Sequence, residues 1–292
     1  MSVRSLPIAR AARTRHFASR RRGAFNQLLV HAVLLVFAVL AAAPFVWMIF
    51  GSFKVFKELV SSADLLPHVW TLSSYVEIIN RVNFLNAMRN SVVVAVVQTL
   101  SVMLTSLLCG YVFSKYRFWG KNFLFALLLA TMMVPFAVVL VPLYIFIADI
   151  GAADQLIGVI LPGLCSAFGI FLMRQFVEAI PGELLDAARI DGASEWRIIF
   201  QIVLPLSGAP LAALAVITCL TSWDAFLWPS IVLTSDDRQT IPLVLASLKN
   251  LYWTRYDLWM AGAMLTVMPV MAVYLVASKH FIRGIALTGI KG

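Results

Sequence analysis

A chain of 292 residues that is 61% hydrophobic and 13% charged, with a mean hydropathy of +0.90, lies far from the balance of a water-soluble domain and has the composition of an integral membrane protein. The net charge of +9 comes from 23 Lys and Arg against 14 Asp and Glu. The apolar runs are continuous, which excludes a membrane β-barrel, whose strands alternate in polarity over about ten residues.

The chain opens with Arg4, Arg10, Arg13, Arg15, Arg20, Arg21 and Arg22. A secretory or twin-arginine signal would follow such charges with an apolar stretch of about 7–15 residues. The run here, 28–50, has 23 residues and holds Ala41-Ala42-Ala43 in mid-span, where cleavage would destroy a helix. The tail therefore reads as a topology anchor beside a first span, not as a leader or a nucleic-acid patch. Hydrocarbon requires about 20 residues per helix. Uncharged runs of that size recur at 28–50, 90–114, 122–148, 155–173, 198–223 and 258–278, predicting an all-α membrane protein with six transmembrane helices.

The first span ends in the interfacial set Pro44, Trp47 and Phe53, and an outer loop over 51–86 carries Pro67, Trp70 and Tyr75. The third span contains Pro135 and Pro142, seven apart and nearly on one face, which predicts a kink; a kink lining a pathway and a static packing kink fit equally. Between the fourth and fifth spans, Pro181 to Pro205 holds four of the fourteen acidic residues. Pro181 and Glu183 suit the first turn of a helix of about ten residues, with Asp186 adding negative charge near its positive end. Leu184, Leu185 and Ala188 recur as one apolar stripe, with Glu183, Asp186 and Arg189 pointing elsewhere. Gly192 fits a positive-φ stop and Ser194 the N-cap of a second helix carrying Trp196, Ile199, Phe200 and Val203, so two helices meet at a glycine elbow.

The run Glu183, Asp186-Ala187-Ala188, Asp191-Gly192-Ala193-Ser194, Phe200 and Leu204-Pro205 resembles the EAA motif of permease subunits of binding-protein-dependent ABC importers, most closely the carbohydrate-uptake group that includes maltose and glycerol-3-phosphate permeases. Asp186 stands where that family usually carries Glu, keeping the charge with one methylene less reach. The resemblance implies that Glu183, Leu184, Leu185, Asp186, Ala187, Ala188, Asp191, Gly192, Ala193, Ser194, Trp196 and Phe200 form a coupling elbow for an ATPase. The family's shared domain begins near the outer loop, Asn90-Ser91 opens its first helix, and the resemblance runs from there to the end of the chain. The implied domains are a basic tail (1–25), a first span with outer loop (26–86), a transmembrane core (87–282) and a cytoplasmic tail (283–292).

The predicted fifth span ends in Trp223-Asp224-Ala225-Phe226-Leu227-Trp228-Pro229. A carboxylate beside a long uncharged run must face water, a partner or a pathway. Trp223, Asp224, Phe226 and Trp228 are therefore candidate pathway residues, with an aromatic interface belt as the other reading. The family usually shows Trp-Asn followed by an acid here, so the acid is shifted by one. Tyr252, Trp253 and Tyr256, in the loop 233–257, correspond to a loop that in maltose-type permeases reaches the docked solute-binding protein. The end of the chain from Arg283-Gly284 resembles the family's tail against the ATPase dimer.

With both termini cytoplasmic, the inner segments hold sixteen Lys and Arg and the outer loops seven, placing the elbow inside. Cys109, Cys165 and Cys219 lie in apolar runs and His16, His31, His68 and His280 are scattered, so no disulfide or metal framework is indicated. No G-x-x-x-x-G-K-[ST] loop is present. No cofactor is expected in this chain; ATP and Mg would belong to two partner ATPases. The other expected partners are a second, different permease, an extracytoplasmic solute-binding protein and the lipid bilayer, with no nucleic acid. The expectation is a non-enzymatic sugar-importer permease in a bacterial or archaeal cytoplasmic membrane. A self-contained secondary carrier is the alternative.

Overall fold

The computed structural model of the chain describes residues 8–81, 83–250 and 255–288. The helices run α1 (Ile8–Gly51), α2 (Phe56–Ser61), α3 (Ser73–Arg81), α4 (Phe84–Lys115), α5 (Lys121–Thr131), α6 (Phe136–Asp149), α7 (Leu156–Ile160), α8 (Ala167–Glu178), α9 (Gly182–Ile190), α10 (Glu195–Ile198), α11 (Leu204–Leu206), α12 (Gly208–Trp223), α13 (Leu227–Val232), α14 (Ile241–Asn250) and α15 (Tyr256–Thr288).

Five stretches among the described residues are long and apolar enough to cross a membrane: Gln27–Gly51, Phe84–Lys115, Leu156–Glu178, Gly208–Val232 and Tyr256–Leu275. A sixth crossing is made only if α5 and α6 count as one span, because they meet at 98°. The break is sharper than the predicted kink. Pro135 sets an extended backbone just before α6, while Pro142 lies inside that helix.

The fifth span is displaced from its predicted position. Residues 195–206 form α10, a π-helical turn at Ile199–Val203 and α11, and the membrane span begins at Gly208. Pro205 has no N–H to offer the carbonyl of Gln201, and the preceding turn widens. The stretch 223–229 consequently falls inside a span, as the break between α12 and α13. The loops predicted to lie outside are helical in part, through α2, α3 and α14, and α15 continues through 283–288, a stretch predicted as tail.

The organising element is α4. Its buried residues Phe84, Ala87, Ser91, Val94, Gln98, Val102, Ser106 and Gly110 recur every three or four positions, one continuous stripe facing the bundle. Small residues set the separation: a Cβ on Gly110 would lie 2.7 Å from Met173 Cβ and 2.9 Å from the Arg174 nitrogen, so α4 and α8 approach backbone to backbone there. At one end of α4, Asn90 donates to the carbonyls of Asp237 and Gln239, and the Ser91 hydroxyl accepts from the Ile241 N–H at 2.9 Å. At the other, Tyr111 meets the elbow. The helical rise between Ser91 and Tyr111 is about 30 Å, the thickness of the hydrocarbon core. In contrast, Leu28 to Leu40 of α1 stand exposed, a surface stable only against lipid or another protein.

Candidate functional site

The elbow forms for local reasons. Pro181 caps α9, one position before the first turn expected for it, and Glu183 lies in that turn. At the far end Gly192 takes φ +80°, the Gly192 N–H donates to the Arg189 carbonyl at 3.0 Å and the Ala193 N–H to Ala188 at 2.9 Å, the paired bonds of a Schellman stop. Ser194 then caps α10, its hydroxyl accepting from the Arg197 N–H at 3.4 Å.

Packing divides the predicted apolar stripe. Leu185 is 1% exposed among Val177, Ile180, Ile198, Ile199 and Val203, with Ala188 and Ala193 against the same cluster. Leu184 is 45% exposed and Ile190 86%. Leu185 therefore anchors the elbow to its own chain and is not part of a partner surface, correcting the sequence assignment. What faces outward is Leu184, Ile190 and the stacked rings of Trp196 and Phe200, 6.0 Å apart with 12° between planes.

Across the elbow runs a polar network that the motif did not disclose. Arg189 donates from Nε to Glu195 Oε1 at 2.8 Å and from Nη1 to Asp186 Oδ1 at 2.7 Å, and the Tyr111 hydroxyl donates to Glu195 Oε2 at 2.7 Å. The Arg189 guanidinium, seconded by the hydroxyls of Tyr111 and Tyr116, holds the Glu195 carboxyl at about 2 despite its desolvation. Glu195, in return, pushes the Arg189 guanidinium further up. Opposite charges three residues either side of Gly192 were a readable signal; Tyr111, in a distant helix, had none. Of the other predicted elbow residues, Asp191 closes α9 while its side chain, like those of Glu183 and Ala187, stands exposed.

A cavity of about 500 Å³ lies midway along the bundle, among α4, α6, α7, α8, α12 and α13. Of the four candidate pathway residues, Phe226 and Trp228 line it, whereas Trp223 is buried in a separate cluster with Ile241 and Leu258, and Asp224 is exposed outside the lining. Trp228 donates its indole N–H to the Gly158 carbonyl at 3.2 Å and meets Phe136 edge-on at 6.1 Å. Gln98, not singled out by sequence, is the polar centre. Its amide nitrogen donates to Val159 and Ile160 at 3.1 and 3.3 Å, where Pro162 interrupts the helix, and its oxygen accepts from Ser222 at 2.6 Å. With Thr218, Thr221, Phe168 and no charged side chain in the lining, the cavity offers aromatic faces and neutral hydrogen-bonding groups, a chemistry suited to a polyhydroxylated solute.

At the end opposite the elbow, Asp154 accepts from the Ser235 hydroxyl and from the N–H groups of Thr234 and Ser235, both at 2.9 Å. Those donors, led by the Ser235 hydroxyl, hold its carboxyl well below the usual range and tie the α6–α7 turn to the loop before α14. Of the predicted binding-protein contacts, Tyr256 is exposed at the start of α15, while Tyr252 and Trp253 lie outside the described residues.

Residues 102–286 match the family described as "Binding-protein-dependent transport system inner membrane component". The chain is 36% identical over 259 residues to the arabinooligosaccharides transport system permease protein of Halalkalibacterium halodurans, covering 87% of this chain and 93% of that one. It is 34% identical over 265 residues to the lactose transport system permease protein of Rhizobium radiobacter, covering 91% and 96%. Its fold is similar to a chain of a bacterial ABC transporter involved in the import of the acidic polysaccharide alginate, with a TM-score of 0.78 at 23% identity over 90% of this chain and 98% of that one.

Proposed function

Given that the chain belongs to the family of binding-protein-dependent transport system inner membrane components, we propose that it passes a sugar or sugar-like solute, delivered by a solute-binding protein, through the cavity beside Gln98 and Trp228. It is a multi-pass membrane permease of the ABC importer type and performs transport, not bond chemistry. That membership decides against a self-contained secondary carrier.

Two ABC ATPases dock on the elbow, a second and different permease completes the pathway, and ATP with Mg is bound by the ATPases. The termini and the elbow face the cytoplasm, in line with the sixteen-to-seven bias of basic residues. Tyr256 lies on the outer face that receives the binding protein. The sugar assignment is supported by the names of the arabinooligosaccharide and lactose relatives and by the neutral, aromatic lining.

The observation that carries the docking assignment is the split of the elbow into an anchored and a free face. Leu185 fixes α9 to the core while Leu184, Trp196 and Phe200 stand out together. A partner gripping that outer face moves α4, α8 and α12 with it, and the cavity they line opens alternately to either side.

The test is purification of the intact complex with Trp196→Ala/Phe200→Ala, followed by solute-stimulated ATP turnover in proteoliposomes. Expected is loss of ATPase co-purification and of stimulated turnover, with membrane insertion retained. ATP hydrolysis by this chain alone, or full co-purification when residues 183–200 are deleted and the protein still inserts, would overturn it.

A further inference from the structure

A second cavity, of about 410 Å³, lies at the elbow end of the bundle, lined by Arg117, Phe118, Lys121, Asn122, Phe123 and Arg174 around Gly120. It gathers three basic side chains and no acidic one. None of the three forms an ion pair among the described residues. Arg117 has no ion pair or hydrogen-bond partner among the described residues. Lys121 donates to the Ser114 and Tyr116 carbonyls at 3.2 and 2.9 Å, leaving one of its three N–H groups and its full charge. Arg174 lies 3.9 Å over the Phe125 ring, a contact that leaves its in-plane donors free. Three cations sharing one cavity favour an anion there, which relieves their mutual repulsion.

The surroundings indicate which anion. Trp119, beside the cavity, is 99% exposed, and Phe123 is exposed in the first turn of α5, followed by Leu124 and Leu127 on the same apolar helix. An aromatic at the membrane boundary above a hydrocarbon-facing helix is the setting of a lipid headgroup, with the acyl chains continuing along α5. We propose that the Arg117, Lys121 and Arg174 cavity binds the phosphate of an anionic phospholipid of the inner leaflet. The leaflet, though not the contact itself, rests on the orientation given above. The bound lipid would brace the α4–α5 turn, whose Lys115 also donates to the Ile180 carbonyl just before α9 at 2.6 Å.

The test is native mass spectrometry of the intact transporter titrated with phosphatidylglycerol or phosphatidylcholine. The wild-type complex should retain phosphatidylglycerol selectively. A basic side chain near an anionic surface contributes on the order of fivefold, so Arg117→Gln/Lys121→Gln/Arg174→Gln should lower the affinity roughly a hundredfold. Should that variant not assemble, Arg117→Gln/Lys121→Gln should lower it roughly twenty-five-fold, and a photoreactive phosphatidylglycerol should crosslink the wild type within 116–123 or 172–176. Equal retention of both lipids, unchanged affinity in the variants, or crosslinks elsewhere would overturn the proposal. Displacement by millimolar inorganic phosphate would reassign the cavity to a soluble anion. Loss of the ATPase subunits from the double variant would reassign it to the docking face, and either reassignment defeats the lipid reading. Labelling of Trp119→Cys from outside the cell would refute the orientation alone and leave the lipid contact standing.

Discussion

Arg189 reaches back across the Gly192 elbow to Glu195, Nε to Oε1 at 2.8 Å, so that the end of α9 is tied to the start of α10. Glu195 is held in turn by the Tyr111 hydroxyl of α4. This partly exposed pair contributes little to global stability, about 0–1 kcal/mol. Its consequence is mechanical, because it fixes the angle at which the two short helices meet. Arg189→Glu should therefore lower solute-stimulated ATP turnover several-fold with little change in the amount of assembled complex, and adding Glu195→Arg should restore part of it. A double variant no better than the single one would show that the pair does not set the elbow.

Gly192 takes φ +80°, and no atom lies within 4 Å of the place a Cβ would occupy, so substitution there meets a backbone penalty and no clash. Gly192→Val should uncouple ATP turnover from uptake, at a cost of about 1–2 kcal/mol to the elbow conformation. Asn tolerates this region, and Gly192→Asn should keep most of the coupling. Equal behaviour of the two variants in a proteoliposome uptake assay would refute the positive-φ requirement.

The pH dependence follows from Glu195, whose carboxyl is at about 2 in the fold against 4.5 when free. A depressed carboxyl contributes stability that is complete above the free value and lost as the pH falls through the folded one. The latch is thus constant at neutral pH and weakens only below about pH 4.5. The ratio of coupled turnover between wild type and Glu195→Gln should stay flat from about pH 8 to about pH 5.5. A midpoint inside that window would assign the titration to another group.

Gln98 holds two interrupted-helix carbonyls from within the bundle. Gln98→Leu leaves the Val159 and Ile160 carbonyls without that donor and should destabilise the complex by about 1–3 kcal/mol. Ser222→Ala removes one neutral bond to the same amide and should cost about 0.5–1.5 kcal/mol. Thermal unfolding of the purified complex gives the order, and a Ser222→Ala loss exceeding that of Gln98→Leu would contradict the network.

Topology is testable in a background lacking Cys109, Cys165 and Cys219. Ser61→Cys and Asp236→Cys should react with a membrane-impermeant thiol reagent in intact cells and Ser194→Cys should not. Reaction at position 194 would invert the orientation.

The residues themselves settled whatever depends on neighbours along the chain: the apolar runs, the Gly192 stop with its φ of +80°, the Ser194 cap and the family motif around them. Composition and period are local properties, and a helix stop is closed by bonds to residues three to five positions away. Hydropathy, however, does not distinguish an apolar residue facing lipid from one buried against its own chain. By hydropathy the run 198–206 is therefore membrane, although Ile198, Ile199 and Val203 pack on Val177 and Leu185. For the same reason Leu184 and Leu185 looked alike, and only the packing of α9 on the core turned one outward and buried the other. Glu195 gained its meaning from Tyr111 and the cavity its shape from six helices, because those contacts join groups far apart in sequence that no local period relates.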